Sequence, residues 1–528
     1  MINAILVDKK DNVAMVTVTA NAGDEIIIKE TGQVLIALET IKSGHKVAIK
    51  RIEIGEDAIK FGITIGRMTS HVDCGEWVHT HNLEDITEEL CGESCRQFRN
   101  GSKTIISQNT DEADEIRNIM AYPRNNGTFG IRNYIMVIPT TTKANAIAEE
   151  ISDRTGCAWF VCDKTRLEEG ELTDYTKKAM IYTGRNPNLY AVLVIGSDTN
   201  GIEIYYAINE ADKPIEYLPL DENNETVTLE NGIAIIEKFQ EDASLLVRVP
   251  VSMEGFGLAV HCSGSDWTTA INGNTAVGVA ADMVVKNGGK VFMTEWMEWS
   301  GSQHIMAEKC ITHELAIDLL DNVDMVRDVV LKETGHPVEY MNPAPSNKEG
   351  GLTTLIEKSV GTIRKIGSTK IQGILQYCEQ PTSKGVWLPK HDSVWPPTTA
   401  IYSSLAGAHM SVLNTGVGFL YFELPHMLCI RTTGNTETFE NEEYKIDFDA
   451  GIAFDTPLSG VGESLFDYLI RIAEGDDNPN TEKDKTRAFN MYYYVENEFG
   501  DDRDLTKMLV NRVQNYSENN KAYTDSVK

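Results

Sequence analysis

The chain has 528 residues, of which 41% are hydrophobic, and its formal net charge is −31 at pH 7. This length and composition predict a globular protein of roughly three or four domains. Acidic residues are spread along the whole chain, and such a field repels nucleic acid and anionic membranes, so neither is an expected partner. An anionic substrate would need a local pocket of positive charge or a bound cation.

Neither a membrane segment nor a disulfide framework is expected. No apolar run approaches the roughly 20 residues that span a bilayer, and the first residues lack a cleavable signal segment, so we expect a cytoplasmic protein. The nine cysteines are expected to be mostly buried thiols. The pairs Cys91 with Cys95 and Cys157 with Cys162 have no second pair at the spacing of a zinc site.

The chain divides into five predicted segments. Residues 1–83 are short apolar runs separated by Gly, Asp and Asn, which is typical of a small all-β domain. Residues 84–120 are polar and acidic and predict an exposed linker. Residues 121–248 predict a first, Rossmann-like α/β domain and residues 249–505 a second α/β domain, followed by a polar tail over residues 506–528.

Beyond the linker, apolar runs alternate with segments of helical periodicity. The runs "RNYIMVIPT" (132–140), "NLYAVLVIGSDTNG" (188–201) and "GGKVFMTEW" (288–296) predict buried strands. Such alternation predicts mostly parallel sheets, and in these sheets ligands bind beyond the carboxyl ends of the strands. The polar residues that follow the strands are therefore the expected location of a site.

Two histidines, His79 and His81, lie at the end of the β-domain in the motif "HVDCGEWVHTHNL" (71–83). Residues two apart on a strand share a face, so we expect the two imidazoles to lie side by side. Such a pair can hold a divalent cation or shuttle a proton near neutral pH. Two exposed or hydrogen-bonded histidines at a strand end are the structural alternative.

The stretch "HCSGSDWTTAINGNTAVG" (261–278) concentrates small hydroxyl and amide residues before a helix that is predicted to begin near Thr275. Free backbone N–H groups at a helix start, together with Gly264 and Gly273, can form an anion cradle. The alternative is a plain polar loop with a helix cap.

A further cluster, "NPAPSNKEGGLTTLIEKS" (342–359), places Lys348 and two glycines before a helix predicted to begin near Leu352. Lys348 can supply a positive charge to a substrate or, with a lowered pKa, act as a base. An exposed lysine is the alternative. The spacing of a Walker phosphate loop is absent.

Taken in order, these blocks resemble the altronate and galactarate dehydratase family, which includes sulfolactate sulfo-lyases. "IKSGHKVAIKRIEIGEDAIKFGITIGRMTSHVDCGEWVHTHNL" resembles the N-terminal SAF-type domain of that family. "NGTFGIRNYIMVIPT", "CSGSDWTTAINGNTAVGVAADMVVKNGGKVFMTEWMEWSGSQHIMAEKC" and "NPAPSNKEGGLTTLIEKS" resemble successive blocks of its large domain. The similarity extends over nearly the whole chain up to about residue 465.

The resemblance implies a carbon–oxygen lyase that removes water from a sugar acid such as altronate or galactarate and yields a 2-keto-3-deoxy acid. It implies a divalent metal, with Fe²⁺ as the expected ion and Mn²⁺ as the alternative, and a homodimer. By motif match it implies acid/base roles for His79, His81 and Lys348, metal ligation by His79, His81, Glu295 and His304, and substrate binding by Asn82, Arg132, Asn133, Gly264, Ser265, Asp266 and Asn347.

Departures from the family's pattern leave other functions open. Residues 156–175 lack its "GCG"-type cysteine element, Ser197 to Thr199 stand where a cysteine and a glutamate are usual, and Val417 stands near the position of an expected arginine. One alternative is a related lyase that expels sulfite from a sulfonated hydroxy acid. Another is a non-catalytic homologue that binds a sugar acid.

Overall fold

A computed structural model describes most of the chain. It covers residues 2–105, 116–162, 167–168, 171–390, 398–418, 424–454, 456–483 and 486–489. The predicted polar tail, 506–528, lies outside these ranges. Within them, no helix combines the length and the apolar character that a bilayer-spanning segment needs.

The N-terminal domain is built of short strands, followed by one helix. The bounds are β1 (Ile2–Ile5), β2 (Val13–Val16), β3 (Glu25–Ile28), β4 (Val34–Ile36), β5 (Lys46–Ala48), β6 (Asp57–Lys60), β7 (Ile63–Met68), β8 (Trp77–Val78), β9 (Leu83–Glu84) and α1 (Thr87–Arg99). The strands form a six-stranded sheet, β4-β3-β1-β2-β5-β8, and a three-stranded sheet, β6-β7-β9. The predicted all-β domain is therefore confirmed.

The next elements build the first α/β region. They are β10 (Asn118–Pro123), β11 (Phe129–Gly130), β12 (Tyr134–Pro139), α2 (Asn145–Thr155), β13 (Ala158–Phe160), β14 (Leu167–Glu168), β15 (Glu171–Leu172), α3 (Asp174–Arg185), β16 (Leu189–Gly196), α4 (Thr199–Asn209), β17 (Ile215–Pro219) and α5 (Glu225–Ser244). Strands β12 and β16 correspond to two of the apolar runs predicted as buried strands.

The remaining elements lie in the segment predicted as the second α/β domain, residues 249–505. They are β18 (Val249–Ser252), β19 (Gly257–Ser263), α6 (Asn274–Lys286), β20 (Lys290–Phe292), α7 (Trp296–Trp299), α8 (Gln303–Lys309), α9 (His313–Thr334), α10 (Val338–Met341), α11 (Pro345–Glu349), α12 (Leu355–Ile363), β21 (Ile371–Leu375), β22 (Gly385–Pro389), α13 (Thr398–Leu405), β23 (Met410–Thr415), β24 (Leu428–Thr433), α14 (Thr436–Asn441), β25 (Phe448–Asp449), α15 (Leu458–Glu474) and β26 (Ala488–Phe489).

Both large sheets are parallel, as the alternation of strands and helices predicts. The first has the order β17-β16-β12-β13-β26 and the second the order β21-β22-β20-β19-β23-β24-β25. The predicted boundary at residue 248 is not a clean one, because β26 from the end of the described chain completes the first sheet. In addition, β18 pairs with β10 across that boundary.

Helices cover both faces of the seven-stranded sheet. Val260 of β19 packs in one apolar cluster with Val277 of α6 and Leu465 of α15. On the opposite face, Ala259 of β19 packs with Ile401 of α13 in another cluster. Successive residues of β19 therefore face different helices, as the alternation of side chains along a strand requires.

The segment predicted as an exposed linker contains a packed helix instead. Helix α1 buries Cys91, Cys95 and Phe98 and contacts α8 and α9. These three residues are four and three positions apart, so they form a single apolar stripe on a helix that is otherwise polar. Residues 84–120 are acidic overall, so their polarity alone did not indicate this apolar stripe.

Candidate active site at the carboxyl edge of the parallel sheet

The strand order of the seven-stranded sheet reverses direction at β19. After β19 the chain first adds β20, β21 and β22 on one side of that strand and then crosses to β23 on its other side. Such a change of direction leaves a crevice at the carboxyl ends of the two central strands, β19 and β23. Gly264 follows β19 with a φ of 55°, a conformation that favours glycine. Its carbonyl accepts hydrogen bonds from the N–H groups of Gly416, at 3.2 Å, and Val417, at 3.1 Å.

Asp266 occupies the helix start that the sequence predicts as an anion cradle. Its Oδ1 atom accepts hydrogen bonds from the backbone N–H groups of Thr268, at 2.9 Å, and Thr269, at 3.0 Å, and from both threonine hydroxyls. Burial raises the pKa of this carboxyl group. The cradle is therefore filled by a carboxylate of the chain itself, and a π-helical turn, Thr269–Gly273, leads from it into α6.

His79 and His81 do not lie side by side on a strand, because β8 ends at Val78 and a turn follows. Asn82 closes this turn: its Oδ1 atom accepts from the His79 N–H at 2.9 Å and its Nδ2 atom donates to the Trp77 carbonyl at 2.7 Å. His79 is buried, whereas His81 is exposed and packs on the Trp77 ring at 4.8 Å. The local hydrogen bonds of Asn82 form a turn in place of the strand that the spacing predicts.

The SAF-type domain contacts helix α11 of the large region through two imidazoles. Nε2 of His79 lies 3.0 Å from the Lys348 carbonyl, and Nε2 of His45 lies 3.0 Å from the Glu349 carbonyl. Nε1 of Trp77 donates to Nδ1 of His45 at 3.1 Å, so the proton of His45 is on Nε2. Burial lowers the pKa of His79 to about 3 and that of His45 to about 4, so both are neutral at neutral pH.

Lys348 lies where the two regions meet and is the free cation among the predicted site residues. It is half-buried, and its ammonium group forms no hydrogen bond or ion pair within the described part of the chain. Burial lowers its pKa. The neighbouring Asn347 donates from Nδ2 to the Ser265 carbonyl at 2.7 Å, which ties α11 to the loop after β19. Asn347, Lys348 and residues 264–266 thus form one unit.

Beneath this contact, two lysines of the β-domain share one glutamate of the large region. Nζ of Lys46 lies 3.0 Å from Oε2 of Glu357, and Nζ of Lys60 lies 2.8 Å from Oε1. None of these side chains is more than 1% exposed. The two lysines hold the pKa of Glu357 well below its usual range. The interface therefore carries a buried excess of one positive charge in a strongly acidic protein.

A second buried ionic group lies beside the carboxyl end of β19. Glu295 accepts from the Cys262 N–H at 2.7 Å and forms a short ion pair with Lys365. Nζ of Lys365 also contacts Sγ of Cys262 at 2.8 Å. Close by, Glu298 of α7 is buried and its pKa is raised by desolvation. Glu295 was predicted from the sequence as a metal ligand, whereas Lys365 and Glu298 were given no role. The only signal that could have pointed to Lys365 is the general rule that a buried carboxylate needs a cationic partner.

The four predicted metal ligands do not meet in one place. Glu295 is paired with Lys365, and Nδ1 of His304 lies 3.3 Å from Sγ of Cys91 in α1. His79 bonds to a backbone carbonyl and His81 packs on Trp77. Among the described residues, no group of three or more His, Cys, Asp or Glu side chains is arranged to hold a metal ion. These residues do not fit a preformed metal centre, so the chemistry below is assigned to side chains of the chain alone.

Arg132 and Asn133, predicted to bind substrate, have structural partners at the amino end of β12. Nη1 of Arg132 donates to the Ile472 carbonyl at 2.9 Å, near the end of α15, where a cation is favourable. Oδ1 of Asn133 accepts from Arg124 at 2.9 Å. Both residues precede β12 and so lie at the end of that strand opposite to its carboxyl end, and no described contact joins them to residues 264–266.

Comparisons with known proteins assign the chain to a family. Family models described as the altronate/galactarate dehydratase SAF domain, the D-galactarate dehydratase/altronate hydrolase second domain and the D-galactarate/altronate dehydratase C-terminal domain match residues 2–86, 121–244 and 253–496.

Three relatives support the same assignment. Altronate dehydratase of Bacillus subtilis is 26% identical over 491 residues, covering 89% of this chain and 95% of the relative. Altronate dehydratase of Escherichia coli is 28% identical over 90% of this chain and 96% of its own. The (2R)-sulfolactate sulfo-lyase subunit beta of Chromohalobacter salexigens is 28% identical over 68% of this chain and 93% of its own. With all three domains in this order, the chain belongs to the altronate and galactarate dehydratase family, whose altronate dehydratases are carbon–oxygen lyases.

Proposed function

We propose that the protein removes water from a sugar acid such as altronate or galactarate and forms a 2-keto-3-deoxy acid. The reaction takes place at the carboxyl edge of the seven-stranded sheet, where the SAF-type domain meets α11. The main support is the hydrogen bond from Asn347 to the Ser265 carbonyl. It joins the loop after β19, at the switch point of the sheet, to helix α11, which also contains Lys348. Crevices at such switch points are the usual ligand sites of parallel sheets.

Dehydration of this kind needs a base that removes the proton next to the carboxylate and an acid that protonates the leaving hydroxide. Lys348 is our candidate for the base, because burial lowers its pKa and its amine has no described partner to displace. Its positive form would instead attract the substrate carboxylate. His81 is the candidate for proton exchange. Its side chain is exposed in the same region, and partial burial of the ring lowers its pKa.

The test is a direct product assay. The purified protein is incubated with altronate and with galactarate, and formation of a 2-keto acid is followed over time. Lys348→Met should lower kcat/KM by about 10²-fold or more, while Lys42→Met, on an exposed lysine of the β-domain, should leave it unchanged. Equal turnover by both variants would contradict the role given to Lys348.

Metal dependence remains a prediction. Elemental analysis under anaerobic conditions, followed by the same assay with added Fe²⁺ or Mn²⁺, tests it. A stoichiometric ion and metal-dependent turnover would show that the ligands come together only in a state other than the one described here. Turnover that is unchanged by chelation would exclude the metal.

A second candidate function is supported by the similarity to the sulfolactate sulfo-lyase subunit over 68% of the chain. In that case the leaving group is sulfite rather than hydroxide. Incubation with sulfolactate and detection of free sulfite separates the two reactions. Absence of product from every substrate would favour the non-catalytic, sugar-acid-binding alternative.

A further inference from the structure

Several buried polar side chains on the α13 face of the seven-stranded sheet have no hydrogen-bonding partner among the residues that the structure describes. Both ring nitrogens of His261 and the hydroxyls of Thr294, Thr399 and Thr415 are fully buried and unpartnered. His261 is 1% exposed and the three threonines are 0% exposed. Ser263, which is 8% exposed, stands two residues beyond His261 at the end of β19. We call these five residues the α13 cluster.

Strand alternation places the cluster on one face of the sheet. Ala259 of β19 and Phe292 of β20 pack with α13, so His261, Ser263 and Thr294 face the same way. Met410 and Val412 of β23 pack on the opposite face, which directs Thr415 toward α13. Thr399 is contributed by α13 itself.

The cluster occupies two successive levels at the carboxyl ends of the strands. Ser263 pairs with Thr415 across the β19–β23 ladder. His261, two residues earlier in β19, lies at the level that Thr294 reaches when β20 is continued two residues past Phe292, which pairs with Ala259. All lie at the carboxyl ends of the strands on either side of the switch point. Gly264 and the loop bonded to Asn347 follow directly on Ser263.

Unpartnered buried polar groups at this density need a physical explanation. Each costs about 1–3 kcal/mol relative to a bonded group, and native proteins leave few of them unless water or a ligand completes them. Burial lowers the pKa of His261 to about 4, so its neutral ring offers one donor and one acceptor. Together with four hydroxyls, the cluster can both donate and accept, which is what a chain of alcohol groups requires.

We propose that the α13 cluster binds the hydroxyl groups of the sugar-acid substrate's carbon chain, while the carboxylate end lies toward Lys348. This inference rests on the proposed function and extends it, because it assigns the polyol part of the substrate to named residues. It makes the site selective for long, hydroxyl-rich acids over short hydroxy acids that share only the carboxylate.

The experiment compares Thr294→Val and Thr415→Val with the wild-type protein. Valine keeps the shape of threonine and removes the hydroxyl. We expect KM for altronate to rise roughly 3- to 10-fold in each variant, with a smaller change in kcat, because a binding contact is lost. Thr294→Ser, which restores the hydroxyl, should return KM close to the wild-type value.

Thr183→Val is the matched control. Thr183, in α3 of the first α/β region, is also 0% exposed and its hydroxyl is likewise unpartnered. Because valine removes an unsatisfied hydroxyl in each case, all three variants should have a Tm at or above the wild-type value without ligand. Only the two cluster variants should lose affinity and should give a reduced Tm increase on addition of altronate.

The outcomes separate this inference from the proposed function. A wild-type protein that neither binds nor converts altronate or galactarate would overturn both. Turnover by the wild type with unchanged KM in Thr294→Val and Thr415→Val would overturn the cluster assignment alone and mark the site as one filled by buried water. Equal increases in the Kd of lactate, which can bind through its carboxylate but lacks the hydroxyl chain, would also overturn it.

Discussion

Two buried polar regions of this protein differ in whether their groups are satisfied. At the contact between the SAF-type domain and α11 and α12, His45, His79, Lys46 and Lys60 each have a hydrogen-bonded partner in the large region. In the α13 cluster, the ring of His261 has no such partner within the described part of the chain. Because an unsatisfied buried group is costly, the first region is complete as a domain interface and the second is incomplete without a ligand or water.

The difference between these two regions shows that a match to a family motif does not decide what a residue does. His79 matches the family motif and was predicted to act in catalysis, yet its ring is used to hold the Lys348 carbonyl. His261 begins the "HCSGSD" stretch and was given no role from the sequence, yet neither of its ring nitrogens bonds to any residue in the described ranges. Variants that disturb the interface should therefore affect stability first, and variants in the cluster should affect ligand binding first.

The largest expected effect on the interface comes from Glu357→Gln. The change leaves two buried ammonium groups without a counter-charge, so we expect the free energy of unfolding to fall by about 3–5 kcal/mol. Denaturant unfolding measures the loss. The exposed pair Lys143–Glu222 supplies the control, since Glu222→Gln should change stability by less than about 1 kcal/mol.

A triple variant sharpens the same test. Replacing Lys46 and Lys60 by Met and Glu357 by Leu removes all three charges together, and should recover most of the lost stability because no buried charge is then unpaired. A triple variant as unstable as Glu357→Gln would show that the packing of these side chains, rather than their charge, holds the interface.

The next effect is expected from Gly44→Ala. Gly44 has a φ of 77°, and a Cβ atom there would lie 2.0 Å from Cδ1 of Trp267 in the large region. Gly32 has a similar φ of 71° but open space around it, so Gly32→Ala should cost only about 1–2 kcal/mol through backbone strain. Thermal unfolding should show a clearly larger loss for Gly44→Ala, and equal losses would mean that the Trp267 contact is not tight.

A smaller effect is expected in the dependence of stability on pH. His45 and His79 have pKa values of about 4 and about 3, below their ordinary value of 6.5. As pH falls from 6.5 toward 4, the unfolded chain binds protons that these buried rings do not, so the unfolding free energy decreases. Above pH 6.5 neither ring contributes.

The measurement is the slope of unfolding free energy against pH between 6.5 and 5 in wild type and in His79→Gln. The variant should have a slope lower by up to about 1.4 kcal/mol per pH unit. His71→Gln, which changes an exposed histidine of the same domain, should leave the slope as it is. An unchanged slope in His79→Gln would place a charged ring at the interface.

The smallest effect on stability is expected for His81→Ala, because this ring is exposed and contacts only the Trp77 face among the described rings. We expect a change within about 0.5 kcal/mol together with a loss of kcat/KM of about 10²-fold or more if His81 exchanges a proton with substrate. Full activity would remove His81 from the site and leave Lys348 as its titratable residue.

Part of this architecture could be read directly from the sequence. The alternation of apolar runs and helical segments predicted two parallel sheets, and the short runs before residue 84 predicted the β-domain. The polar stretch 261–278 was predicted to lead into a helix near Thr275, and α6 begins at Asn274. These features depend on local periodicity and on residues that follow a strand end, which a linear pattern records.

Other features were decided only by contacts between distant parts of the chain. Lys365 meets Glu295, Glu357 meets two lysines from the β-domain, and β26 joins a sheet that begins with β12. No spacing in the sequence indicates such pairs, because they depend on how domains pack rather than on neighbouring residues.

The sequence by itself determined the class of fold, the order of the domains and the edge of the sheet at which to look, since hydrophobic periodicity and family motifs are properties of short segments. Only the tertiary structure decided which polar residues are used up in holding the molecule together and which are left free. That distinction depends on whether each buried donor and acceptor has a partner. The ring of His79 finds one 269 residues further along the chain, at the Lys348 carbonyl, whereas no described residue bonds to the ring of His261.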